Sequence, residues 1–334
     1  MTALVQLAAA AERAIRACRG ATSPVHGSGE VAEVARLVLQ LPQELTREWS
    51  KHLSTGELDV IGVFSHKTPK TSWTGKLDQK TYQPELCDLL LVFDIENAGD
   101  RTKRALMIQA KVADPKMNLG GFIIGKDGED VQRYLYVHLP PFTLTGLDSA
   151  PDYFDIRPST DGSCLGSRYA GIKVVASTPD SGWWLEKKQP TAPENPKAMS
   201  DYAGKYNADI PLGQALYEML TGSLGAELTS GSEWERLVQH LLDVATKRDD
   251  LGRSPPDVKA AAAGNKLPHF SKSSIALYDA RQFFEHKACT GYETLDFVKS
   301  APPDREGTPG LSEEMHPGFG IIYVRLISPV WHDD

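Results

Sequence analysis

The stretch "ELCDLLLVFDIENAGDRTKRALMIQAKV", residues 85–112, sets two apolar runs on either side of a polar, glycine-containing middle. "ELCDLLLVFDI" (85–95) reads as a strand, "ENAGDRTKR" (96–104) as a hairpin loop, and "ALMIQAKV" (105–112) as the returning strand. The two strands are therefore expected to be antiparallel neighbours. Alternation along the second puts Leu106, Ile108, Ala110 and Val112 on one face, and Met107, Gln109 and Lys111 on the other. An ammonium on such a strand must reach water or find an acid, because burying it alone costs several kcal/mol or its proton. Asp88, at the start of the neighbouring strand, is the nearest carboxylate, and Glu85 is a second candidate.

Outward from this pair, "EVAEVARLVLQLP" (30–42) has helical period, with Val31, Val34, Leu37, Val38 and Leu41 as its buried stripe and Pro42 at its end. "ELDVIGVFSH" (57–66) and "YAGIKVVAS" (169–177) read as strands, and "GEDVQRYLYVHL" (128–139) as a helix stopped by "PPF". The segment 67–84 is polar and turn-rich. The order over residues 30–180 is helix, three strands, helix, strand, which predicts a mixed α/β sheet covered by helices. Leu4, Leu7, Ala8, Ala11, Ile15 and Cys18 mark a further amphipathic helix at the start, and Glu12 and Arg13 break its resemblance to a signal peptide.

After residue 186 the composition changes. "KKQPTAPENPKAMSD" (187–201) reads as a linker or long surface loop, 212–224 and 232–249 as helices, and 318–329 as a last strand. Residues 273–288 fit neither pattern cleanly. This divides the chain into an α/β part, 1–186, and a largely helical part, 187–334, which stands alone or packs on the first.

The 334 residues carry a net charge of −8, which disfavours a uniformly basic coat but leaves room for a local basic patch. Cys18, Cys87, Cys164 and Cys289 lack zinc spacing and form no evident disulfide framework, so a reducing cytoplasm is the expected location. No stretch is long and apolar enough to suggest a membrane span.

A carboxylate, an amide oxygen and a lysine at one sheet edge suit Mg²⁺ or Mn²⁺ and the hydrolysis of a phosphodiester. Asp88, then an apolar strand, a hairpin and Gln109-Ala110-Lys111, resembles the PD-(D/E)XK nuclease superfamily. The order of elements over 30–180 is similar to that superfamily's restriction-endonuclease-like αβββαβ core. The resemblance implies a metal held by Asp88, the Gln109 side chain and the Ala110 carbonyl, with Lys111 orienting water. It also implies a Glu from the first helix, for which Glu33 is the first candidate and Glu30 the second. Gln132 and Tyr136 in "QRYLY" have the Q-xxx-Y spacing of RecB-like nucleases and would steady the site. DNA is the implied substrate, with RNA as an alternative, in a restriction or antiphage defence setting that could involve a homo-oligomer or a partner protein.

The chain departs from the family pattern at Gln109, where an acid is usual. A neutral oxygen still ligates a hard cation but attracts it less. The twenty residues between Asp88 and Gln109 also exceed the usual spacing, and the loop 96–104 is expected to absorb them. A catalytically silent scaffold of the same fold is the alternative function.

Taken singly, the residues have plain structural readings: a solvated sheet edge for Gln109 and Lys111, a turn carboxylate for Asp88, helix surface for Glu33, Gln132 and Tyr136. Trp183 and Trp184 suit base stacking or a hydrophobic anchor.

Overall fold

A computed structural model describes residues 3–19, 29–65, 68–75, 78–113, 122–124, 129–147, 151–156, 166–173, 181–187, 204–206, 208–246, 274–279 and 319–331. In chain order the elements are α1 (Ala3–Cys18), α2 (Glu30–Trp49), β1 (Leu53–Ser65), β2 (Lys70–Thr74), β3 (Thr81–Tyr82), β4 (Leu89–Asn97), β5 (Asp100–Ala113), β6 (Phe122–Ile124), α3 (Glu129–His138), β7 (Phe142–Thr145), β8 (Asp152–Phe154), β9 (Ser167–Lys173), β10 (Trp183–Glu186), β11 (Gly204–Tyr206), β12 (Ala208–Pro211), α4 (Leu212–Leu220), β13 (Ala226–Glu227), α5 (Glu233–Thr246), β14 (Ser274–Asp279) and β15 (Phe319–Trp331).

A mixed sheet runs β12-β10-β9-β5-β4-β15-β1-β14, with β13 paired to one end of β5. β4 and β5 are antiparallel, as expected, and β5 is parallel to β9. Alternate side chains feed two cores. Leu89, Leu91 and Phe93 with Leu106, Ile108 and Ala110 pack under α1, α2 and α4. Leu90, Val92 and Met107 pack under α3 and α5 on the opposite face. The sheet is thus covered by helices on both sides. A smaller antiparallel sheet, β3-β2-β7-β8, builds part of the segment that reads as turn-rich.

The structure corrects two expectations. Helix α2 does not stop at Pro42 but continues to Trp49, with Leu45 and Trp49 extending its buried face. Pro42 leaves the Val38 carbonyl without its helical donor, and that carbonyl lies over Gly62 of β1, where a Cβ would approach it to 2.0 Å. The hairpin loop is two residues, Ala98-Gly99, both with positive φ, closing on the pair Asn97–Asp100. Nine residues of strand on each arm take up the spacing between Asp88 and Gln109; 96–104 reads as loop because its exposed residues are polar, yet most of it is strand.

The division at residue 186 does not separate two sheets. β12 and α4 join the first core, and β15 lies inside the sheet, parallel to β4 and antiparallel to β1. The described residues on both sides of the boundary share one sheet. Residues 273–288 contribute β14 over 274–279, while the linker 188–201 and the rest of that segment lie outside the described residues.

Candidate active site

β4 begins one residue after Asp88, and the ladder between β4 and β5 starts at Leu89–Ile108. One step beyond it Asp88 meets Gln109. Gln109 Nε2 donates to Asp88 Oδ2 at 2.5 Å, and the Ala110 N–H donates to the same oxygen at 2.7 Å. The Asp88 main chain is pinned on both sides: its N–H donates to Ile108 O at 3.0 Å, and its carbonyl accepts from Gly320 N at 2.8 Å. The inserted strand β15 therefore helps to place the acid.

β5 runs on past the start of β4, and among the described residues no strand pairs with that edge there. Along a strand the N–H and C=O of alternate residues point to the same edge. Carboxylates cap that edge: Asp88 takes the Ala110 N–H, and Glu30 Oε1 takes the Val112 N–H at 3.1 Å. The Ala110 carbonyl points to the same edge, between them. Lys111 Nζ lies 3.5 Å from Glu30 Oε2, with its side chain 16% exposed. Asp88, Gln109, Ala110, Lys111 and Glu30 thus converge at one end of the β4–β5 hairpin.

Glu33 does not reach this place. It pairs with Arg19 at 2.9 Å and Arg36 at 2.6 Å, both largely buried, and so ties α1 to α2. Glu30, the first residue of α2, supplies the helix carboxylate instead. Tyr136 lies behind the site and its hydroxyl donates to Leu86 O at 2.9 Å, holding the segment that leads into Asp88. Gln132 is buried one turn earlier on α3. Glu85 sits where the chain bridges to Lys70, near enough for its charge to act on Asp88.

Register adds residues that sequence reading missed. Tyr169 on β9 stands level with Gln109, and its ring packs 5.3 Å from that of Tyr136. Arg133 on α3 pairs with buried Glu186 at 2.8 Å and lies 5.3 Å over the Tyr169 ring. No local signal marks these residues, because only the β5–β9 and β9–β10 pairings bring them together.

Comparison with family models, curated proteins and solved structures returns no match.

Burial pushes the Asp88 carboxyl up to about 8; Lys111 and the Ala110 N–H oppose the shift, and repulsion from Glu30 and Glu85 adds to it. Gln109 Oε1 is buried and accepts no hydrogen bond from the described residues. Such an orphan costs about 1–3 kcal/mol unless a ligand satisfies it. Among the described residues no three acid, histidine or cysteine side chains converge to enclose a metal ion. A cation here would rely on neutral oxygens from Gln109 and Ala110 beside Asp88. That set fits a hard ion such as Mg²⁺, which keeps several of its waters and needs one or two carboxylates.

Among the described residues no helix is long and apolar enough to cross a membrane.

Proposed function

We propose that the chain is a metal-dependent nuclease with a restriction-endonuclease-like core, hydrolysing phosphodiester bonds, with DNA as the first substrate to test. The observation that carries this reading is the meeting of Asp88, Gln109, Ala110, Lys111 and Glu30 at the edge of β5 beyond the start of β4. The order α2, β1, β4, β5, α3, β9 supports it, with β15 inserted between the first and second strands of that set.

In this reading Asp88, the Gln109 oxygen and the Ala110 carbonyl hold Mg²⁺ or Mn²⁺, and Glu30 acts on the ion or its water. The bound ion supplies charge neutralisation at a phosphate oxygen and a more acidic water. Lys111, part-exposed beside Glu30, holds the attacking water or the charge that develops on the phosphate. Tyr136 fixes the approach to Asp88 through Leu86. A defence setting and a protein partner remain proposals attached to the family resemblance.

The absence of three converging acidic ligands among the described residues favours, as a second reading, a silent scaffold that binds nucleic acid or protein. One assay separates the two. Plasmid and RNA are incubated with the full chain in Mg²⁺, Mn²⁺ or EDTA, beside Asp88→Ala and Lys111→Ala. The nuclease reading expects metal-dependent cutting that falls by about a hundredfold or more in both variants. Binding without cutting in any metal supports the scaffold.

A further inference from the structure

The adjacent tryptophans at 183 and 184 separate completely. Trp183 is fully buried in the core beneath α1 and α4. Trp184 lies on the opposite face, part-exposed, and that is the face that carries Gln109 and Lys111. The register places it. Lys111 on β5 is level with Gly171 on β9, and Gly171 is level with Trp184 on β10. Gly171 contributes no side chain between Lys111 and the indole. The lysine and the tryptophan are two strand spacings apart, about 10 Å. Lys173, two residues along β9 on the same face, holds its ammonium 5.7 Å from the Trp184 ring centroid. The Trp184 indole N–H is buried and has no acceptor among the described residues.

A part-exposed aromatic with Lys173 beside its ring and Lys111 two strands away forms a place for one unpaired nucleotide. Bases stack on aromatic rings whatever their identity, and lysines follow the phosphates. A base inside a duplex offers no free face to the ring.

We propose that Trp184, with Lys173, is a stacking platform for an unpaired nucleotide next to the bond held at Asp88 and Lys111. Single-stranded nucleic acid, or the frayed end of a duplex, is then the bound form. The position of the cleaved bond rests on the nuclease reading; the stacking itself does not.

The test measures anisotropy of labelled oligothymidylate, oligouridylate and a duplex of matched length in EDTA, so that no cutting is needed. The full chain is compared with Trp184→Leu, which covers Gly171 without stacking, and Trp184→Phe, which keeps a flat ring. Single strands should bind the wild type more tightly than duplex, weaken about tenfold in Trp184→Leu, and stay within about threefold in Trp184→Phe. The oligothymidylate and oligouridylate arms show whether the DNA or the RNA strand is preferred. Indole fluorescence gives a second readout that does not depend on the leucine variant folding. Single strand should quench the wild type, and most of that quenching should vanish in Trp184→Phe while binding persists. Equal binding by wild type and Trp184→Leu, equal quenching in Trp184→Phe, or no preference over duplex would overturn the platform. Plasmid cutting scored in parallel keeps the ideas apart: cutting that survives with no role for Trp184 removes the platform alone, and Trp184-dependent binding without cutting removes the nuclease reading alone.

Discussion

Strand β4 is flanked and occupied by two aspartates six residues apart on the same face, and they live in opposite electrostatic worlds. Asp94 stands opposite Lys103 in the ladder, which approaches it to 3.6 Å. Arg101 grips both of its oxygens at 2.7 and 2.5 Å, and the Tyr323 hydroxyl donates at 2.5 Å. These partners hold its carboxyl below the usual range against the cost of burial. Asp88 meets a glutamine where Asp94 meets a lysine, and its carboxyl rises to about 8. The hairpin therefore closes its own charges at the turn end and leaves a cation deficit at the other. A buried acid with permanent cationic partners is structural. Among the described residues Asp88 has no such clamp: Lys111 is its one cation nearby, and Glu30 and Glu85 add repulsion.

The largest expected effects separate the two aspartates by stability. Asp94→Asn should cost about 2–3 kcal/mol in denaturant unfolding at pH 7, less than for a fully buried pair because Arg101 is half-exposed. Asp88→Asn should cost nothing in the absence of metal and should stabilise the metal-free fold at pH 7 as well as at pH 9, because the folded state resists ionising Asp88. A loss at Asp88 equal to that at Asp94 would erase the distinction.

The pH dependence sharpens it. The folded state raises the Asp88 carboxyl, so it favours the protonated form. Metal-free stability should fall as pH climbs from about 4 to 8 and then level, and Asp88→Asn should flatten that fall. Asp94 is lowered, so its contribution is present at neutral pH and is lost as pH drops through its folded value. Asp94→Asn should remove only the acid-side loss. Melting curves across pH for both variants check these signs.

Gln109→Glu should move the site toward a stronger cation holder. Mg²⁺ affinity should rise about tenfold while the metal-free fold loses stability, because two carboxylates then crowd one buried place. Calorimetric titration and melting with and without Mg²⁺ measure the opposing changes.

The smallest effect lies at the turn. Ala98 holds φ 52° and Gly99 φ 91°, the pairing for which Asn-Gly is preferred. Ala98→Asn should add about 0.5–1 kcal/mol. Nine residues of strand, about 30 Å, separate it from Asp88. Its effect should therefore add to that of Asp88→Asn within about 0.5 kcal/mol in a double-mutant cycle.

What was legible in the sequence follows the range of the forces involved. The apolar alternation of 89–93 and 105–112 and the stripe of α2 report local period, and the hairpin, the helix and the meeting of Asp88 with Gln109 and Lys111 follow from them. The strand ends at 96–104 were hidden because their side chains are exposed and charged, and only the pairing of Arg101 and Lys103 with Asp94 shows them to be sheet. Glu30 and Glu33 share the first turn of α2, and choosing between them needs the seat of the helix. Gly62 and Gly320 let α2 lie close on β1 and β15, and Arg19 and Arg36 engage Glu33. The insertion of β15 had no local signature. Tyr323 meets Asp94 across 229 residues of chain, and nothing in "GFGIIYVRLISP" says which strand it will join.

Titration of Mg²⁺ or Mn²⁺ into the full chain at pH 7, in two buffers of different ionisation enthalpy, is the most direct test. The account predicts binding accompanied by release of close to one proton, as the cation displaces the proton held by Asp88, with both signals abolished in Asp88→Asn. Binding that survives unchanged in Asp88→Asn, or no binding of either ion by the wild type, would contradict it.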